Sequence, residues 1–161
     1  METVIKKYLY PPNFVGTYDA TDPGGHRRYK VACTYSCDTR APATTEGIDD
    51  YILAKRTDLR TVDGKIPGRL IIDRIWWHCT GIGIAIGYNN MNDEEAALIT
   101  PYYSGTGEKD YRAIGGFVPE KDALEGEDDY GGDIVVSTLA YMGTISTTDS
   151  FDIVVDFRTH K

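Results

Sequence analysis

Long apolar runs are missing from this chain of 161 residues. None approaches the ~20 consecutive apolar residues of a membrane-spanning helix, so no membrane partner is expected. Positive charge is short as well: 17 basic against 25 acidic side chains leave a net charge of −8. A surface that holds nucleic acid by neutralising phosphates is therefore not expected. Cysteine is scarce, and the count of three is odd, which fits reduced thiols rather than a disulfide framework. No CxxC spacing marks a metal site, and no GxSxG elbow or phosphate loop marks catalysis. The N-terminus, METVIKKYLYPPNF, lacks the apolar core and small-residue cleavage site of a secretory signal. Neither a metal, a cofactor nor a catalytic residue is expected.

What the chain does have is period-two alternation. In GIGIAIGY, Ile82, Ile84, Ile86 and Tyr88 share one face of a strand, leaving Gly83, Ala85 and Gly87 on the other. A strand face without side chains implies something packed close against it. In SFDIVVDFR, Phe151, Ile153, Val155 and Phe157 point one way, and Asp152, Val154, Asp156 and Arg158 the other. GDIVVSTLAY before it is a second strand, so the two are expected to close the chain as a hairpin. RLIIDRIWWHCT reads as a long strand, AALITPYY as a short edge strand and DYRAIGGFVP as another short one. GTYDATDPGGHRRYKVACTYS reads as strand, tight turn and strand. One stretch, Gly47 to Leu59, fits a 3.6 period and predicts a short helix. The fold class expected is all-β, an antiparallel β-sandwich or jelly roll with few or no helices.

The charge is concentrated. Residues 91–135 hold 12 acidic and 3 basic side chains, so the remainder is close to neutral. Such Asp- and Gly-rich loops suit a solvated surface; a calcium loop is the alternative, without the EF-hand order of ligands. Cys33 and Cys37, four apart in a strand, share a face but lie about 13 Å from each other, too far to bridge. His78 and Cys79 are sent to opposite faces by alternation.

Aromatic side chains supply the candidate interface. Trp76 and Trp77 are adjacent in a strand, so one indole fills the core while the other reaches the opposite face. A platform for a sugar ring or a partner protein is the functional reading; the alternative is that both faces are covered. Near the N-terminus, Tyr8, Tyr10 and Phe14 flank Pro11 and Pro12, which favour an extended conformation outside regular sheet. Residues 1–14 are expected as an extended arm, and residues 15–161 as one domain.

The C-terminal stretch GGDIVVSTLAYMGTISTTDSFDIVVDFRTHK resembles the ending of small head proteins of tailed bacteriophages, and GTYDATDPGGHRRYKVACTY resembles their opening strand, turn and strand. The resemblance covers about a third of the chain and carries no chemical motif; the tryptophan pair and the acidic stretch from Glu120 to Asp133 have no counterpart in it. It implies a virion structural protein, a capsid cement or decoration protein assembled in the host cytoplasm. The partners implied are a major capsid protein and further copies of the chain, with a trimer favoured. A carbohydrate- or receptor-binding module of the tail-fibre kind is the competing expectation, using the tryptophans and tyrosines as platforms.

Overall fold

The computed structural model describes residues 2–9, 27–37, 47–48, 51–61, 63–89, 96–99, 103–117, 132–140 and 148–160. Within them the chain is all-β. Nine strands are β1 (Glu2–Tyr8), β2 (Arg28–Cys37), β3 (Tyr51–Ala54), β4 (Arg69–Thr80), β5 (Ile82–Asn89), β6 (Ala96–Ile99), β7 (Thr106–Asp110), β8 (Ile134–Ala140) and β9 (Ser150–His160). They form two antiparallel sheets, a large one ordered β1-β2-β9-β4-β7 and a small one ordered β3-β8-β5-β6.

The pairing follows one rule. The partners β2–β9, β3–β8, β4–β7 and β5–β6 nest inside one another, as in a single long antiparallel ribbon turned back on itself between β5 and β6. The ribbon then rolls up, and the contacts β4–β9 and β5–β8 stitch its turns into sheets. Gly81 makes the corner between β4 and β5 at a φ of 73°. A Cβ there would lie 2.0 Å from Oδ1 of Asp149, so glycine is required for conformation and for space.

Rolling the ribbon places the apolar rows of both sheets against each other. Across β2 and β9, Tyr29 stacks on Phe157 with ring centroids 5.5 Å apart, and Tyr35 on Phe151 at 5.4 Å. Val31, Cys33, Ile153, Val155, Ile72 and Ile75 fill the rest of that layer. Leu53, Ile82, Ile84, Ile86, Tyr88, Ile134 and Val136 face them from the small sheet in the same cluster. Burial of each large side chain contributes about 1.5–3 kcal/mol. The opposite face of β5 is shielded too, with Gly83, Ala85 and Gly87 buried beside Val135. Cys33 and Cys79 are buried, and burial pushes each thiol up to about 11.

Four expectations need correction. β8 and β9 form no hairpin, because they belong to different sheets. The run Ile134–Val135–Val136 is buried on both faces, which suits the interior of the small sheet, whereas β9 keeps one polar face. The helix expected over Gly47 to Leu59 is β3 followed by a 3₁₀ turn, Arg56–Asp58. Pairing with β8 and the complete burial of Leu53 and Ala54 override the helical period. The strand expected over 110–119 is instead the end of β7, a 3₁₀ turn at Arg112–Ile114, and Phe117 alone bridging to Ile72. Lastly, the first half of the expected arm is strand β1, paired with β2 from Glu2↔Cys37 to Tyr8↔Val31. The prolines follow this strand and do not prevent it. β4, β6 and β2 fall where the sequence places them, with β6 at a sheet edge. The partner strand and turn expected before β2 lie outside the described residues.

Phe157 is 1% exposed and stacked in the central strand of the large sheet. Phe157→Ala should therefore cost about 3–5 kcal/mol in urea denaturation. An unchanged midpoint would place β9 outside the core.

Candidate interaction surface on the large sheet

Because β2, β9, β4 and β7 are neighbours in register, their outward side chains line up in rows. One row runs Lys30, Asp156, Arg74, Asp110, alternating in sign across four strands. The next runs Ala32, Val154, Trp76, Glu108, and the one after it Thr34, Asp152, His78, Thr106. Opposite charges directly across antiparallel strands attract, by roughly 0.2–1 kcal/mol for each pair.

The charged row is linked along its length. Lys30 Nζ stands 3.4 Å from Oδ1 of Asp156, and Arg74 Nε stands 3.8 Å from Oδ2 of Asp110. Arg74 also pairs with Glu108 through Nη2. Arg112 grips Asp110 with Nε at 2.9 Å and Nη2 at 2.6 Å, while its backbone N–H donates to the same carboxylate at 2.9 Å. A bulge between Ile72 and Arg74 inserts Asp73 as an extra residue, and Arg158 Nε pairs with it at 3.2 Å. The segment after β7 closes over this end: Tyr111 N–H donates to the Asp73 carbonyl at 2.8 Å, and Arg158 donates to the Gly115 carbonyl. A Cβ on Gly116 would come within 2.3 Å of Ile71.

Between these groups lies a cleft of about 240 Å³. Arg28, Lys30, Arg74 and Arg112 line it against only Asp73 and Asp156, so its wall is cationic in a chain of net charge −8. Trp76 forms one side. Its ring carries the Arg74 guanidinium at 4.4 Å and the Lys30 ammonium at 5.3 Å. Burial raises Asp73 and Asp156 above the ordinary carboxylate range, against the pull of Arg158 and Lys30 respectively. The Arg112 side chain holds Asp110 well below it.

Of the five candidate interface residues, the structure describes Tyr8, Trp76 and Trp77. Trp76 and Trp77 do take opposite faces. Trp77 packs inward on Tyr103 with centroids 4.4 Å apart, and its Nε1 donates to the Ser104 carbonyl at 3.0 Å. Its cross-strand partner is Gly107, where a Cβ would lie 2.4 Å from the indole. Trp77 is thus a wall of the core, while Trp76 belongs to the cleft. Tyr8 lies on β1 and packs against the core beside Lys6, and burial pushes its hydroxyl up to about 12. Tyr10 and Phe14 lie outside the described residues, as does the acidic stretch from Glu120 to Asp133 except for its last two residues. Asp133 is held structurally: its Oδ1 accepts from the Arg56 N–H at 2.7 Å. His78 is exposed, with Nδ1 2.6 Å from the Thr106 hydroxyl.

Lys30, Arg74, Arg112, Asp73, Asp110 and Asp156 escape a reading of the sequence. Alternation placed Asp156 on the polar face of its strand, and nothing more was available. Which residues stand beside it is decided by register between strands far apart in the chain.

The β1 edge is a further exposed feature among the described residues. Ile5 and Leu9 are 62% and 45% exposed. Lys6 instead turns toward the gap between the sheets and donates to the Ile52 carbonyl at 3.0 Å. Comparison with protein-family models, curated proteins and solved structures gives no match for the chain.

The two carboxylates of the charged row should respond to pH with opposite sign. Asp156 is raised in the fold, so its ionisation lowers stability as pH rises from the ordinary carboxylate value through the folded one. Asp110 is lowered, so its contribution is present above the ordinary value and is lost as pH falls toward the folded one. Relative to wild type, Asp156→Asn should be less damaging at about pH 7 than at about pH 3, and Asp110→Asn more damaging, in urea melts. The same sign for both would contradict the assignment.

Proposed function

We propose that the chain is a structural interaction protein of a virus particle, a cement or decoration protein on the outside of a phage head shell. Several features support this reading. The pairing β2–β9, β3–β8, β4–β7, β5–β6 is the strand order of an eight-stranded jelly roll, with β1 added at one edge. Jelly rolls recur in viral capsid and lectin domains, so architecture alone leaves the choice to the surface. The C-terminal strands β8 and β9 carry the sequence pattern resembling phage head proteins.

The observation that carries the proposal is the β1 edge. Among the described residues this strand of 7 residues pairs on one side only, with β2, and Ile5 is exposed. An open edge presents backbone N–H and C=O groups to which another chain can add a strand. Lys6 reaches across to the Ile52 carbonyl, and Ile5 and Lys7 share the other face of the strand. A shell protein or a second copy would gain main-chain hydrogen bonds along β1 and apolar contact at Ile5 and Leu9. The sugar-platform reading is less well supported, since Trp77 is packed inward and Trp76 is approached by two cations.

Shells stripped of the protein should recapture it on co-sedimentation. Ile5→Lys should weaken capture at least tenfold, about 1.4 kcal/mol, while melting with the wild type. A wild-type chain that stays in the supernatant contradicts the proposal. So does an Ile5→Lys variant captured as well as wild type.

A further inference from the structure

The ladder settles which backbone groups of β1 are already used. Leu9 N–H donates to the Lys30 carbonyl at 2.9 Å, so in the antiparallel register the odd residues of β1 turn their N–H and C=O groups toward β2. The far side of β2 agrees. Cys37 N–H donates to the Asp149 carbonyl and Thr159 N–H to the Arg27 carbonyl, so the odd residues of β2 serve β9 and its even ones serve β1. The even residues of β1, Glu2, Val4, Lys6 and Tyr8, therefore aim their backbone groups away from the sheet. Among the described residues no strand pairs with them there. The Lys6 side chain leaves this edge clear, since it reaches the Ile52 carbonyl of the other sheet.

We propose that the strand added at this edge is β1 of a second copy, antiparallel across a two-fold axis. This pairing rests on the reading of β1 as an open docking edge and names its occupant. Hydrogen-bonded pairs must join even residues to even residues, which leaves few registers. Setting Val4 against Lys6 of the second copy also sets Glu2 against its Tyr8. All the outward groups of both strands are then used, in about eight main-chain hydrogen bonds. A shift of two residues either way leaves about six. One such shift puts Lys6 against Lys6, and the other puts Ile5 against Thr3. In the full register Ile5, 62% exposed in the single chain, meets Ile5 of the second copy on the axis. Lys6 and Lys7 then face Val4 and Thr3, so no like charges stand directly opposite. The strand is thus its own complement, with an apolar centre and each lysine matched to an uncharged residue. A two-fold interface closes at two copies, not at the three that the resemblance favours. One strand pair buries less than the roughly 1,200 Å² of a stable interface, so the dimer forms and opens with concentration.

Cysteine cross-linking reads both the partner and the register. Ile5 against Ile5 is a non-hydrogen-bonded pair with Cα atoms about 4.5 Å apart, within reach of a disulfide. The native cysteines are buried, so the introduced thiol is the one that reports. In concentrated solutions of the full chain under a mild oxidant, Ile5→Cys should link into dimers roughly tenfold faster than Thr3→Cys or Lys7→Cys alone. A mixture of Thr3→Cys and Lys7→Cys should link one variant to the other. Sedimentation of the wild type should show a monomer–dimer equilibrium. On concentration, the amide resonances of Val4, Lys6 and Tyr8 should move more than those of Ile5 and Lys7. Ile5→Cys linking no faster than the two controls, a wild type that stays monomeric at millimolar concentration, or a closed trimer would each overturn the proposal. The docking reading fails separately. A monomer that stripped shells still capture sinks the second-copy pairing alone, and a dimer that shells ignore sinks the shell role alone.

Discussion

Strand β9 is the element on which everything else rests. It is hydrogen-bonded on both sides, to β2 and to β4, and its side chains alternate without interruption. Phe151, Ile153, Val155 and Phe157 go to the core; Asp152, Val154, Asp156 and Arg158 go to the outer face. A slip of one residue would send three charged groups inward and four large apolar ones into water. The same register that stacks Tyr29 on Phe157 also sets Lys30 against Asp156 and Arg74 against Asp156. Core and cleft are therefore two faces of one constraint, and neither could be altered without the other.

The rolled ribbon explains why the surface has the features it has. Nesting pairs leave the sheets with open edges, and the edges are treated differently. On the large sheet, β7 is short and charged, with Glu108 and Asp110 tied to Arg74 and Arg112. Opposite it, β1 presents Ile5 and Leu9, while its one inward lysine bridges to β3 of the other sheet. Tyr88 adds a further tie: its hydroxyl accepts from the Ile72 N–H at 3.1 Å and donates to the Phe117 carbonyl at 2.7 Å. That bond joins the small sheet to the segment that covers Asp73. The charged cleft is thus held from both sheets, and it is a place where buried polar groups can be kept incompletely matched.

How much of this could be read from the sequence depends on the range of the information. Alternation is local, so β4, β5, β9 and the opposed faces of Trp76 and Trp77 were legible residue by residue. So was the shielding of the glycine face of β5. The partnering of β8 was not, because a polar connection before β9 suits a hairpin and a crossover between sheets equally well. The clue was the double-sided burial of Ile134, Val135 and Val136, which an isolated hairpin strand would not need. Tyr51 to Ala54 fits a helical period by coincidence, and only the long-range partner, β8, decides in favour of strand. The bulge at Asp73 has no sequence signature at all. Without it there would be no Asp73–Arg158 pair, and Arg74 would not face Asp156. The cleft was illegible for that reason: its residues come from four strands, and register across them is a property of the whole fold.

The central claim is that the large sheet is anchored at β9 and open at β1. Native-state hydrogen exchange measures both ends of that claim in one experiment. The amides of β9 should exchange only by global unfolding, and alternate amides of β1 should exchange orders of magnitude faster, since half of them have no partner strand among the described residues. Uniformly slow exchange along β1, matching β9, would show that edge to be already covered and would contradict the account.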